Sequence, residues 1–407
     1  MKKIEGGVTA AKGFEAAGVE ASIKYQNRKD MAMIFSKLPC VTAGTFTSNV
    51  VKAACVLWDK NIVDSNTQTH AVVINSGIAN ACTGKQGFDA CNKTSKAVEE
   101  MLNVPANSVL VASTGVIGMQ LPVDKIVNGV KKLSKELKDT REAANMAAQA
   151  IMTTDTISKE VAVTFEIDDR TVTIGGMSKG SGMIHPNMCT MLGFVTTDLA
   201  ISKELLQEAL SENVKDTFNM ISVDGDTSTN DTLILMANGA AGNVKITEKD
   251  ENYNKFKEAL NEVNKTLAMM MAGDGEGATA LLETKVIGAK TKEDAKTLAK
   301  SVICSSLTKA AIYGHDANWG RILCALGYSG VMFDPEKIEL YFMGEKEKML
   351  IFKDGTAAPY SEEEATAILS QKKVTVLVDM KEGTKEATAW GCDLTYDYVK
   401  INADYRS

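Results

Sequence analysis

Thr173-Ile-Gly-Gly-Met-Ser-Lys-Gly-Ser-Gly-Met-Ile-His-Pro-Asn-Met-Cys-Thr-Met-Leu-Gly-Phe-Val-Thr-Thr-Asp198 is the stretch around which the chain is organised. Four glycines fall between Gly175 and Gly182, and Pro186 follows. Glycine supplies backbone conformations that other residues avoid and proline stops helices, so 175–189 is expected to be an irregular loop. Thr190-Met-Leu-Gly-Phe-Val195 then turns apolar at once and reads as a buried strand. A hydroxyl residue thus stands where a loop meets a strand. The strand fixes it and the loop lets a substrate approach.

Two hydroxyls compete as nucleophile. Gly176-Met-Ser-Lys-Gly180 fits the G-x-S-x-G elbow of serine hydrolases, which would make Ser178 the nucleophile. That motif needs a helix straight after the serine, and Gly180, Gly182 and Pro186 do not begin one. Thr190 is the other candidate, activated by its own α-amine if the chain is cut just before it.

The bulk properties narrow the field. The 407 residues suffice for two domains or one large layered one, and 44% of them are hydrophobic. A net charge of −7 argues against nucleic acid or an anionic membrane as partner. Eight cysteines are scattered without a C-x-x-C pair, and His70, His185 and His315 are the only histidines. Free thiols in a cytoplasmic protein are therefore expected, with no disulfide framework and no metal. Met1-Lys-Lys-Ile-Glu-Gly-Gly7 lacks the apolar run of a secretory signal, and no stretch approaches the length of a membrane span.

Apolar alternation and length predict strands at Met31–Phe35, Ala54–Trp58, Ala71–Ile74, Leu233–Met236 and Lys373–Val378, and a hairpin over 160–174 turning at Asp168-Asp169-Arg170. Three-to-four spacing predicts helices over Gln86–Leu102, after Pro122, from Arg141, over Lys203–Asn219 and from Glu251. Asn75-Ser-Gly-Ile-Ala-Asn-Ala-Cys-Thr-Gly84 is either a strand-to-helix connection or a pocket lining. Ser108-Val-Leu-Val-Ala-Ser-Thr-Gly115 is a strand running into a turn, where a hydroxyl and a main-chain amide can meet an oxyanion or simply close a tight turn. The acids of Ser222-Val-Asp-Gly-Asp-Thr-Ser-Thr-Asn-Asp-Thr232 do not complete an EF-hand loop. Gly273-Asp-Gly-Glu-Gly277 closes a helix where a dinucleotide fingerprint would open one. Val399 and Ile401 alternate with Lys400 and Asn402 as in a strand, and Tyr405 lies close to Ser407.

Lys179-Gly-Ser-Gly-Met-Ile-His-Pro-Asn-Met-Cys-Thr-Met-Leu192 resembles the self-cleavage motif of the ornithine acetyltransferase family, arginine-biosynthesis enzymes also called glutamate N-acetyltransferases. Segments 75–84, 222–232, Gly314–Arg321 and 398–407 resemble further family segments. His185 and Cys189 stand where the family more commonly has alanine, Ile78 replaces an asparagine and Ala317 a proline. The resemblance implies an α/β (α+β) fold, a layered α/β/β/α sandwich shared with β-peptidyl aminopeptidases. It implies a cut between Cys189 and Thr190 into an α chain (1–189) and a β chain (190–407), held as an α2β2 assembly. Thr190 is then the nucleophile, Thr114 and Gly115 form the oxyanion hole, and Thr153 (or Thr154), Lys179, Glu276, Asn402 and Ser407 grip the substrates N-acetylornithine and glutamate. No cofactor is needed; acetyl-CoA is the alternative acetyl donor. An aminopeptidase of the same fold and a Ser178 hydrolase are the competing expectations.

Overall fold

A computed structural model describes residues 1–65, 67–185 and 191–403. The fold class is α/β, as the family resemblance implies. The chain forms two compact units that are interleaved in sequence. The first takes Met1–Gly180, the described part of Pro186–Asn219, and Thr227–Leu267; the second takes Ser181–His185, Met220–Asp226 and the described part of Ala268–Ser407. A division at 189/190 concerns one peptide bond, which lies outside the described residues.

Among the described residues the first unit is built on a nine-stranded mixed sheet. Its main path runs Lys2–Ile4, Lys159–Ile167, Arg170–Lys179, Leu192–Thr197, Thr232–Ala237, Met31–Phe46, Thr69–Asn75, Val109–Ser113, with Phe14–Val19 also paired to Met31–Phe46. The long strand Met31–Phe46 joins the two halves: its first part pairs with Phe14–Val19 and Thr69–Asn75, its last part with Thr232–Ala237. Successive side chains of a strand point to opposite faces. Accordingly Ala32 and Ile34 join one apolar cluster with Val72, Ile74 and the helix residues Ala144 and Ala147, while Met31 and Met33 join a second with Ala71, Val73, Ile126 and Val130. Helices thus cover both faces of this part of the sheet, as buried parallel pairing such as Thr69–Asn75 beside Val109–Ser113 requires.

The second unit is built on a seven-stranded mixed sheet, ordered Thr356–Ala357, Lys348–Lys353, Glu339–Met343, Lys373–Asp379, Leu281–Ala289, Lys385–Cys392, Ile221–Ser222. The amphipathic helix Lys292–Cys304 packs on Leu281–Ala289 and Lys385–Cys392, burying Ala295, Leu298, Ala299, Val302 and Ile303. Its start is capped by the Thr291 hydroxyl, which accepts from Asp294 N–H at 3.0 Å.

Several expectations are corrected. Ala54–Trp58 belongs to the helix Ala54–Asp64, which buries Cys55, Val56, Trp58, Ile62 and Val63; five apolar residues are too few to separate a period of 2 from one of 3.6. The supposed loop 175–189 starts five residues late, because the strand Arg170–Lys179 continues through both glycines. Gly175 is there for space: a Cβ would sit 2.0 Å from the Gly7 carbonyl oxygen. The helix from Lys203 ends at Asn213 and gives way to two short 3₁₀ turns. The alternating tail is the helix Tyr396–Ala403, not a strand. The hairpin is as expected, with Ile167 paired to Arg170 and Asp168 at φ +51° in its turn.

Candidate active site

In the first unit the strand Val109–Ser113 ends at Thr114-Gly115 beside the segment that leaves Thr69–Asn75. Asn75 organises the junction. Its carbonyl accepts Thr114 N–H at 3.0 Å, its Oδ1 accepts the Ser113 hydroxyl at 2.7 Å and its Nδ2 donates to the Ile78 carbonyl at 2.8 Å. Val116 N–H donates to the Gly77 carbonyl at 3.2 Å. Buried Asn230 donates to the carbonyls of Ser113 and Ala79, at 2.8 and 2.5 Å. Gly115 has φ +129°, and a Cβ there would meet the Gly77 carbonyl carbon at 2.2 Å, so only glycine fits. The Thr114 hydroxyl and the Gly115 N–H make no hydrogen bond among the described residues. Two donors on a turn locked from behind are thus left for a ligand, the arrangement an oxyanion needs. Segment 75–84 is the strand-to-helix connection, leading into the helix Gly84–Leu102, and it also braces this turn.

Elsewhere in the same unit Lys179, at the end of its strand, donates to the Thr153 hydroxyl at 2.8 Å. The structure therefore brings Thr153, and not Thr154, to Lys179. Both surround Asp155, whose side chain is fully buried. Asp155 accepts from Lys159 Nζ at 2.8 Å, Gly180 N–H at 2.7 Å and Thr153 N–H at 3.1 Å, and lies 3.8 Å from Lys179 Nζ. Burial opposes its charge, but Lys179, Lys159 and the Gly180 amide outweigh burial and hold the carboxyl below its usual range. Sequence reasoning misses Asp155; the signal is an acid directly after the two threonines with a lysine four residues on.

Ser178 is buried within the strand Arg170–Lys179, and its hydroxyl has no partner among the described residues. The sharp turn into a helix that a serine elbow requires is not present at this serine, which removes the Ser178 reading.

In the second unit Glu276 follows the end of the helix Glu251–Gly273. Its N–H donates to the Ser181 carbonyl at 2.9 Å, and its Oε2 accepts from Asn402 Nδ2 at 2.7 Å. Glu276 and Asn402 are thus brought together. Asp224 has no role of its own in the sequence reading, yet it grips consecutive amides of the loop: Met183 N–H at 2.6 Å and Ile184 N–H at 2.8 Å. Its Oδ2 also accepts the Tyr398 hydroxyl at 3.3 Å. His185 Nδ1 lies 3.1 Å from the Ser222 hydroxyl; burial and then nearby Lys300 lower its pKa. Cys189, Thr190 and Ser407 lie outside the described residues. Among the described residues no three His, Cys, Asp or Glu side chains group to hold a metal ion, and no helix is long and apolar enough to cross a membrane.

Comparison with known proteins gives one answer. The model of the ArgJ family matches residues 15–407. The arginine biosynthesis bifunctional protein ArgJ 1 of Clostridium acetobutylicum is 50% identical over 98% of this chain and 97% of its own length. The arginine biosynthesis bifunctional protein ArgJ of Caldanaerobacter subterraneus subsp. tengcongensis is 47% identical over the full length of both. The crystal structure of the Bacillus halodurans arginine biosynthesis bifunctional protein ArgJ is 46% identical, with a TM-score of 0.50, covering 52% of this chain and 97% of that one. With a family model spanning all but the first residues and relatives near half identity from end to end, the chain belongs to the ArgJ family.

Proposed function

We propose that this ArgJ-family acyltransferase of arginine biosynthesis moves an acetyl group from N2-acetylornithine to glutamate through an acetyl-Thr190 intermediate. The observation that carries the reading is the free pair of donors, Thr114 hydroxyl and Gly115 N–H, on a rigidly braced turn. In this reading the chain first cuts itself between Cys189 and Thr190. The new α-amine takes the proton from Thr190 Oγ, which attacks the acetyl carbonyl. Thr114 and Gly115 stabilise the oxyanion, ornithine leaves, and glutamate then takes the acetyl group to give N-acetylglutamate. Lys179 and Thr153 suit a carboxylate, Glu276 an ammonium, with Asn402 and Ser407 as further polar contacts. No metal or cofactor takes part. The word bifunctional in the relatives' names supports acetyl-CoA as a second donor to the same threonine. The α chain and β chain remain together, as α2β2, in the cytoplasm.

Intact-mass spectrometry tests this. The protein should give two fragments whose masses place the cut at Cys189–Thr190, and Thr190→Ala one chain. N-acetylornithine without glutamate should add one acetyl mass to the Thr190 fragment. A wild-type chain that stays whole while transferring acetyl groups would sink the role of the cut.

A further inference from the structure

Asp155 gathers donors from three places in the chain: Thr153 N–H, Lys159 Nζ and Gly180 N–H, with Lys179 Nζ just beyond. The side chains of Asp155 and Lys159 are fully buried, and that of Lys179 is 9% exposed. A buried ion pair is seldom worth more to stability than apolar packing of the same volume. Its geometry is therefore the informative part. Asp155 Oδ1 is taken by Lys159 at hydrogen-bonding distance, whereas Lys179 Nζ stands off at 3.8 Å from Oδ2. At that distance the carboxylate attracts the ammonium without accepting a hydrogen bond from it. Lys179 donates instead to the Thr153 hydroxyl at 2.8 Å, and Thr153 itself is pinned through its N–H to the same Oδ2.

An ammonium has three donors. Among the described residues the Thr153 hydroxyl is the one hydrogen-bond acceptor Lys179 Nζ finds, so two N–H groups of a nearly buried cation still point at no acceptor. Such donors are costly to leave unmade, and a ligand carboxylate would satisfy them. We propose that Asp155 is the positioning residue of this carboxylate-binding pair: it fixes Thr153 through its amide and holds Lys179 by charge at a stand-off that keeps its donors free for the substrate. Asp155 touches no substrate and acts through the two residues that do. The inference rests on the reading of Lys179 and Thr153 as carboxylate contacts.

Asp155→Asn by itself would leave the Lys159 ammonium buried against an amide, and that variant can fail to fold for this reason alone. The working variant is therefore the pair Asp155→Asn with Lys159→Met, compared with Lys159→Met, with Lys179→Met and with the triple variant, all in the full chain. Calorimetry reads glutamate binding, and steady-state kinetics read KM and kcat. The paired variant should weaken glutamate binding and raise KM about tenfold or more, with kcat changed much less, because a contact made equally in ground and transition states moves KM. Lys159→Met leaves the Lys179–Thr153 contact and the Thr153 N–H bond to Asp155 Oδ2 in place, and it is the reference against which the paired variant is read. The triple variant should be no worse than Lys179→Met, since both remove one interaction. Unchanged glutamate binding in the paired variant overturns the proposal, and so do losses that add to that of Lys179→Met. Glutamate binding that ignores Lys179 also overturns it, while leaving acetyl transfer standing. Lys179-dependent glutamate binding in a protein that transfers no acetyl group would sink the transferase reading and leave Asp155 in its place.

Discussion

Asp59 and Thr114 show how differently two polar residues of one unit are used. Asp59 lies on the helix Ala54–Asp64 and is buried; its Oδ1 accepts Val111 N–H at 2.7 Å and its Oδ2 has no partner among the described residues. Burial pushes its pKa well above the ordinary value, and the Val111 amide only partly opposes this. For a carboxyl raised on folding, the unfolded chain releases its proton first. Stability is then unaffected below about pH 4, the unfolded value, and falls as pH rises from there towards the folded value. Asp59→Asn keeps an acceptor for Val111 and removes this dependence. Its melting temperature should match wild type near pH 4 and exceed it at neutral pH; melts across that range check the sign. Thr114 is the opposite case, a hydroxyl that makes no hydrogen bond among the described residues and that the proposed function assigns to the oxyanion. Thr114→Ala should lower kcat by about 10² to 10³ with KM little changed, since an oxyanion donor acts mainly in the transition state. A change confined to KM in steady-state assays would remove Thr114 from that role.

At the scale of elements, the helix Tyr396–Ala403 buries none of its residues, yet it is tied down by polar contacts. Tyr398 N–H donates to the Thr395 hydroxyl at 3.2 Å, which itself donates to the Gly277 carbonyl at 2.8 Å, and Asn402 reaches Glu276. Deleting residues 402–407 should leave the self-cut intact and raise KM about tenfold or more, the loss of two polar contacts at about 1 kcal/mol each. Unchanged kcat and KM for both N-acetylornithine and glutamate would take Asn402 and Ser407 out of the site. This helix also marks the limit of what the sequence discloses. Alternation over four residues reads as a strand, and only the hydroxyl of Thr395, placed to cap a helix, points the other way. Long periodic segments such as Gly84–Leu102 and Lys373–Asp379 are legible because their pattern repeats over several turns or pleats. Gly175 and Gly176 mislead because crowding, which no local pattern reveals, explains Gly175. Thr114, Gly115, Lys179 and Glu276 enter the candidate site through family motifs, not through any local pattern. Asp155 and Asp224 act on amides distant in sequence; the lysine four residues after Asp155 hints at an ion pair but not at the Gly180 amide.

At the scale of the molecule, the first unit's sheet draws on both sides of the 189/190 bond. Leu192–Thr197 and Thr232–Ala237 lie side by side in parallel, flanked by Arg170–Lys179 on one edge and Met31–Phe46 on the other. Two strands from beyond the 189/190 bond therefore sit inside a sheet whose remaining described strands come from before it. Fragments made by the proposed cut could not part without breaking both flanking ladders and the core they cover. Cut protein should elute as one species in native gel filtration and separate only in denaturant; fragments that come apart in buffer alone would contradict this sheet order.

If the proposed cut is made, the same interleaving gives the molecule a memory. While the bond is whole, the two inserted strands are tethered to their neighbours and assemble at a high effective concentration. Once the bond is gone, that tether is lost, and any return from the unfolded state becomes an encounter between two molecules. The mature protein would keep a shape it can no longer efficiently regenerate. After dilution from denaturant, recovery of the cut form should fall more steeply than recovery of Thr190→Ala as the solution is made more dilute.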